Sequence, residues 1–278
     1  MPSSTIDTIL SFVDVKVPEA LAQRKGPGPL FILISGIQGS GKSYNAYRLF
    51  EHLSKHYKTL NISIDDFYLP HNEQLALSKK YEQNPLLQGR GLPGTHDLDL
   101  LEAVIKRLNS PEPGVLVIPK YNKAAFNGEG DRAGYAKVKK PIDIVILEGW
   151  FLGFQSIPEA KLALFAGENT NSSLALINQF LRRYETILWK NSELNTLGIV
   201  LAADDIQNVY TWRVQQEHEL IKNTGSGMTD EQVSQFLTRY MQCYKIYYDR
   251  FVRSRALGNI CNLIIGLDLQ RTTTYVLL

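Results

Sequence analysis

Cysteine is almost missing from this chain. Cys243 and Cys261 are the only two in 278 residues, and neither belongs to a C-x-x-C pair or a Cys/His cluster. That argues against a disulfide scaffold and fits a reduced compartment. An excess of charge is missing too: 30 Lys and Arg against 28 Asp and Glu leave a net +2. So balanced a chain gives no electrostatic ground for nucleic acid or an anionic membrane as partner. No apolar run approaches the roughly 20 residues that a membrane helix needs. Residues 1–17 carry Asp7 and Asp14 and lack the basic stretch and apolar core of a secretory signal. Repeats and low-complexity tracts are absent. These absences point to a cytoplasmic protein (the nucleus is open to it as well), with 44 % hydrophobic residues, enough for a sizeable core.

What the chain does have is Gly36-Ile37-Gln38-Gly39-Ser40-Gly41-Lys42-Ser43, which meets G-x-x-x-x-G-K-[ST] at every fixed position. The preceding apolar run, residues 30–35, reads as a buried parallel strand. Ala46, Leu49, Phe50, Leu53 and Tyr57 recur at helical spacing after it, so a helix is expected to begin near Lys42. Glycines let backbone N–H groups turn inward around a phosphate, and the helix N-terminus adds partial positive charge. Lys42 would reach the β- and γ-phosphates, and the Ser43 hydroxyl would help hold Mg²⁺. Strand, glycine loop and helix together predict a nucleoside triphosphate site.

The rest of the chain supplies further strand ends. Residues 59–64 read as a strand running into Asp65 and Asp66; residues 142–147 read as another, delivering Glu148. In open α/β sheets ligands bind outside the carboxyl ends of the strands, so Asp65 and Asp66 are expected to face the nucleotide and Glu148 to hold the Mg²⁺ shell opposite Ser43. Residues 85–94 (P-L-L-Q-G-R-G-L-P-G) read as a shaped loop bracketed by Arg90 and His96. Asp97 is expected to cap a helix over 97–109. Residues 115–119 read as a strand, 122–140 as a basic glycine-bearing excursion, and 156–171 as irregular. A helix over 172–191, a strand over 196–203, a helix capped by Asp204 or Asp205 and a strand over 260–267 complete the alternation. Gly225-Ser226-Gly227 reads as a hinge, and Thr229 with Gln232 as a capping box opening a tyrosine-rich helix to about residue 254. The expectation is an α/β fold: a three-layer P-loop NTPase domain over 1–278 with a doubly wound, mainly parallel sheet. Residues 1–29 form an N-terminal extension, about 85–140 the acceptor-side loops and about 213–230 a lid.

Among phosphate-loop proteins, a GTPase needs N-K-x-D, and Asn122-Lys123-Ala124-Ala125 lacks the acid. Asp131-Arg132-Ala133-Gly134 matches D-x-x-G only inside a glycine-rich loop. A small-molecule kinase needs an acid at the acceptor hydroxyl, metal ligands, cations over the phosphoryl and a closing element. Asp65, Ser43 with Glu148, Lys42 with a lid arginine such as Arg213, and the 225–227 hinge supply each.

The set G-I-Q-G-S-G-K-S, S-I-D-D-F-Y, G-R-G-L-P-G-T-H-D, I-P-K-Y-N-K-A, G-E-G-D-R and I-L-E-G-W-F-L-G-F resembles the ATP-dependent glycerate kinase family, allied to phosphoribulokinases, uridine kinases and bacterial pantothenate kinases. The similarity spans about residues 30–255. It implies ATP and Mg²⁺ and phosphoryl transfer to a hydroxyl of a small metabolite, a glycerate-like hydroxy acid first. By that resemblance Asp65 would orient the hydroxyl or accept its proton, and Asp66 would be structural or metal-facing. Arg90, His96, Tyr121, Lys123 and Arg132 would line the acceptor side. The family pattern calls for an aspartate where Asn122 stands. An ATP-binding regulatory protein with a degenerate acceptor site, using an exposed aromatic helix near residues 240–248 for a partner, is the alternative this departure raises.

Overall fold

The structure, a computed structural model, describes residues 4–165, 168–225 and 227–278. Its frame is a six-stranded sheet in the order β2-β5-β1-β6-β7-β8, built from β1 (Leu30–Gly36), β2 (Thr59–Ser63), β5 (Ile144–Gly149), β6 (Asn195–Ala203), β7 (Cys261–Leu267) and β8 (Thr273–Leu277). All pairings are parallel except β7 with β8. Every residue of β1 and β6 is buried, as continuous apolar runs flanked on both faces require. The sheet is mixed, mostly parallel and flanked by helices.

The helices are α1 (Thr5–Gln23), α2 (Lys42–Leu53), α3 (His71–Lys80), α4 (Leu98–Asn109), α5 (Glu159–Phe165), α6 (Glu168–Ile187), α7 (Asn208–Thr224), α8 (Asp230–Cys243) and α9 (Asp249–Ser254). α1 packs on α2, β1 and β7 through Ile9, Phe12, Val13, Val17 and Ala20. α4 starts where predicted: the Asp97 carboxylate accepts from Leu100 N at 3.0 Å. The capping box at Thr229 and Gln232 is formed in both directions.

Several expectations are corrected. Residues 114–122 do not join the main sheet. β3 (Gly114–Asn122) pairs antiparallel with β4 (Asp131–Lys140) as a separate hairpin, so most of the expected excursion over 122–140 is a strand. Pairing with a neighbour across a short glycine-rich turn outweighed the run's resemblance to a sheet strand, and half of β3 faces solvent. Helix α5 and the start of α6 occupy the segment expected to be irregular; residues 166–167, and Ser226 of the expected hinge, lie outside the described residues. Neither Asp204 nor Asp205 is the N-cap of α7, which is Gln207 without a side-chain cap. An intervening turn moves the helix start away, and Asp205 instead accepts from Gln207 N at 2.8 Å. The segment near residues 240–248 is not an exposed face. Tyr240, Tyr244, Tyr247 and Tyr248 are 3, 1, 2 and 6 % exposed and pack with Trp150, Phe154 and Phe251. A π-helical stretch, Tyr244–Tyr248, turns these rings inward, which the simple 3.6-residue period does not foresee.

Candidate active site

Parallel pairing puts the carboxyl ends of β1, β5 and β2 side by side. In register, Ile34 faces Glu148 on β5, and Glu148 faces Ser63 on β2. The phosphate loop leaves β1, Glu148 sits at the end of β5, and Asp65 follows β2 in a 3₁₀ turn, Ile64–Phe67. One edge of the sheet therefore gathers all three parts.

The loop's glycines are needed for space as well as for conformation. Gly39 has φ +79°, and a Cβ there would stand 2.3 Å from Trp212 Cβ on α7. Gly41 has φ +91° and opens α2. Two outside groups hold the loop: Gln38 N donates to Tyr244 Oη at 3.3 Å, and Arg271 Nε donates to Gly39 O at 2.7 Å. Inside it, the Ser40 hydroxyl is buried with no partner among the described residues, while Ser43 at the first turn of α2 is exposed. Lys42 Nζ reaches back to Ile37 O at 3.4 Å. Burial pushes the Lys42 ammonium's pKa down, against the pull of Glu148 and Asp65, so it lies within reach of both acids' fields.

Beside the loop is a groove of about 590 Å³, lined by Tyr44 and Asn45 of α2, the first residues of α1, and Arg271 and Thr272. Arg271 stacks over Trp212, its guanidinium 5.1 Å from the ring centroid, and also bonds Gln215 at 2.9 Å. Its surroundings leave a largely apolar slot next to the phosphate loop.

Asp65 is the most strongly perturbed acid. Burial pushes its pKa up, but the Lys123 ammonium at 2.6 Å and the Tyr68 hydroxyl outweigh that and bring it down to about 2. Lys123 is correspondingly raised, chiefly by Asp65. Asp66 faces elsewhere: it binds Lys120 at 2.7 Å and Tyr121 N at 3.4 Å, fastening the hairpin to the turn after β2. The expectation that Asp66 faces the nucleotide is corrected, because the hairpin's Lys120 claims its carboxylate; of the structural and metal-facing roles the resemblance implied, this contact is structural.

The residues expected on the acceptor side lie around this pair. Arg90 donates to the Gly128 and Glu129 carbonyls and lies 5.8 Å from the Tyr121 ring centroid. Tyr121 meets Tyr68 edge to face at 5.3 Å. Arg132 is ion-paired with Asp97 at 3.0 Å, which ties β4 to the cap of α4. His96 is only 4 % exposed and stacks on Tyr68 at 4.3 Å. Burial lowers its pKa to about 4. Asn122 is exposed, and its side-chain oxygen accepts from Ala124 N at 3.0 Å, closing a turn as an aspartate would. Arg213, expected over the γ-phosphate, is here held to the buried Glu217 one turn along α7 at 2.6 Å. Glu217 also accepts from Met228 N at 2.9 Å, so this ion pair anchors the far side of the expected hinge.

Four residues escaped sequence reasoning. Arg239 of α8 donates to Gln88 O at 3.0 Å and grips the glycine loop. Tyr240 fills the space left by Gly91, where a Cβ would be 1.8 Å from its hydroxyl oxygen. Tyr68 and Arg271 complete the set. Tyr68 had a signal, standing in S-I-D-D-F-Y; the other three come from distant segments with none.

No protein-family profile matches the sequence. The chain is 46 % identical over 277 residues to the probable ATP-dependent kinase TDA10 of Saccharomyces cerevisiae, covering 96 % of this chain and 94 % of that one. It is 39 % identical over 252 residues to the uncharacterized kinase mug58 of Schizosaccharomyces pombe, covering 87 % of each. The solved structure of D-glycerate 3-kinase from Cryptococcus neoformans superposes with a TM-score of 0.85 at 33 % identity, covering 99 % of both chains. With a complete phosphate loop, paired strand-end acids and likeness to kinases over nearly its whole length, the chain is an ATP-dependent kinase and belongs to the glycerate-kinase-like family of P-loop kinases.

Proposed function

We propose that the small hydroxylated metabolite this kinase phosphorylates is an anionic hydroxy acid of the glycerate class. The observation that carries it is the Asp65–Lys123 pair, 2.6 Å apart, at the edge of the sheet that also holds the phosphate loop. Two functional groups on the acceptor match the two ends of that pair. A hydroxyl can donate to Asp65, and a carboxylate can draw Lys123 away, with Arg90 close by. Removing the Lys123 charge from Asp65 would raise its basicity at the moment the hydroxyl arrives. An uncharged sugar or nucleoside offers Lys123 no such exchange. The D-glycerate 3-kinase likeness supports the same class.

Ser43 and Glu148 are the residues that would hold Mg²⁺. Their donors are hard oxygens, a hydroxyl and one carboxylate, which suits an ion that completes its shell with nucleotide oxygens. A Mg²⁺ held by these two residues would supply positive charge against the charge of the phosphates. Asp65, a further candidate ligand, is engaged by Lys123 and fits the hydroxyl better. Around them Lys42 and the loop amides would hold the β- and γ-phosphates, the groove beside Tyr44 would take the base, and α7 with α8 would act as the lid over a single kinase domain. Arg213 would have to leave Glu217 to reach the γ-phosphate.

The test is ADP release from Mg-ATP over hydroxy acids, sugars, nucleosides and pantothenate, with Asp65→Asn run in parallel. Turnover confined to hydroxy acids, lowered about 10²-fold or more in the variant, is the expected result. A preference for neutral acceptors would sink the assignment. The regulatory alternative finds no footing in the geometry: Asn122 makes an ordinary turn and the tyrosine-rich helix is buried.

A further inference from the structure

We infer that Tyr184 is a positioning residue that fixes His96 as its Nε2–H tautomer, making the buried imidazole a neutral hydrogen-bond donor to the bound acceptor. The inference rests on the hydroxy-acid reading above and adds residues from a part of the chain, α6, to which no site role has been attached.

The argument is a count of protons. Tyr184 is fully buried on α6. Its hydroxyl oxygen accepts from Gly94 N at 3.0 Å, and the backbone amide of His96 acts on the same oxygen. Both are pure donors, so the phenol's own proton must find an acceptor elsewhere. His96 Nδ1, 2.8 Å away, is that acceptor. With Nδ1 receiving, a neutral ring carries its proton on Nε2. The opposite assignment would leave a phenol proton buried and unpartnered, an unfavourable state.

Nε2 is therefore a donor, and it is buried without a partner among the described residues. An unmade hydrogen bond in the interior is costly and calls for an explanation. The ring's position supplies one. Its Nδ1 edge is taken by α6, so its Nε2 edge turns away from that helix. One face stacks on Tyr68, whose hydroxyl bonds Asp65, and the Asp65 carboxylate is close enough to act on the ring. The orphan N–H thus belongs to the neighbourhood where the acceptor must place its hydroxyl. A ring kept neutral donates the same way at every physiological pH, and does not compete with Lys123 for the charge of Asp65. The cradle is specific. Gly94 has φ +106°, and a Cβ there would lie 2.4 Å from the Phe180 ring of the same helix.

The experiment combines ¹⁵N NMR of histidine-labelled protein with steady-state kinetics on D-glycerate. The His96 signals are assigned by their loss in His96→Gln. In ligand-free wild type they should show the Nε2–H tautomer from pH 6 to 8, and in Tyr184→Phe a mixed or Nδ1–H form. Saturating D-glycerate should shift the Nε2 resonance of the wild type. In kinetics, Tyr184→Phe should raise the D-glycerate KM about tenfold, the worth of one hydrogen bond, with the ATP KM unchanged. His96→Gln, which keeps an N–H near Nε2, should stay closer to wild type than His96→Phe. An Nδ1–H ring in the wild type overturns the inference, as does a turned-over acceptor that leaves Nε2 unmoved. A wild type inert to D-glycerate but active on another acceptor overturns only the hydroxy-acid reading, and the same titration with that acceptor then decides the role of His96.

Discussion

Single ionisable side chains set the pH behaviour of this kinase. Asp65, at about 2, stays ionised well below the usual carboxylate range, held there against burial chiefly by Lys123 and also by Tyr68. Its folded pKa lies below the ordinary carboxylate value, so its contribution to stability is complete above pH 4 and is lost only as pH falls toward 2. His96 behaves similarly in a higher window. Its folded value of about 4 lies below the ordinary 6.5, so the unfolded chain takes up the proton first. Stability should fall as pH drops from 6.5 to 4, by on the order of 3 kcal/mol from this residue. Urea unfolding at pH 7.5, 5.5 and 4.5 should show that loss in wild type and a flatter profile in His96→Gln; equal slopes would mean that His96 is not held neutral. Lys123→Ala should raise the acceptor KM tenfold or more, roughly the worth of a charge-assisted hydrogen bond, with the ATP KM unchanged. It should also let Asp65 titrate higher, so the acidic limb of the kcat/KM profile moves up in pH. A KM change for ATP instead would place Lys123 on the nucleotide.

At the scale of elements, the site is an assembly of turns that each require a particular neighbour. The phosphate loop is the clearest instance: its motif and the later helix α7 were both legible, but the closure of α7 over Gly39 was not. Trp212 of α7 leaves no room for a side chain there. Gly39→Ala combines that clash with a left-handed φ, and is expected to destabilise by about 2 kcal/mol or more. It should also weaken ATP binding at least tenfold, by roughly the same free energy. Urea unfolding with an ATP titration measures both; an unaltered ATP affinity would show that the loop's shape tolerates the extra carbon. The hairpin of β3 and β4 shows the reverse. Its strand pattern was visible over residues 115–119, whereas its partner was hidden in a basic glycine-bearing stretch, half of which faces solvent without strict alternation. A half-exposed strand pair has too little apolar periodicity to announce itself.

Over the whole molecule, α8 and the π-helical turn after it connect two loops of the candidate site. Arg239 and Tyr240 hold the glycine loop at Gln88–Gly91, and one turn further Tyr244 holds the phosphate loop at Gln38. Filling the nucleotide site should therefore stabilise more than the loop it touches. At ATP a hundredfold above its Kd, folding should gain about 2.7 kcal/mol, seen as a rise in Tm. Lys42→Ala should lose both that rise and turnover, because the cation over the phosphates is gone. A wild-type Tm indifferent to ATP would count against the nucleotide site itself.

The sequence by itself determined the phosphate loop, the strand ends carrying Asp65 and Glu148, the caps at Asp97 and Thr229, and the alternation of parallel strands with helices. Each is local: a few consecutive residues state a backbone conformation or a period, and nothing distant changes it. The tertiary structure decided which distant residues meet around the phosphate loop and the Asp65–Lys123 pair. Asp65 meets Lys123 across 58 positions, His96 meets Tyr184 across 88, and Gly39 meets Arg271 across 232. Such pairings depend on where turns of irregular backbone bring side chains, and on charge and proton counts that only the folded neighbourhood fixes.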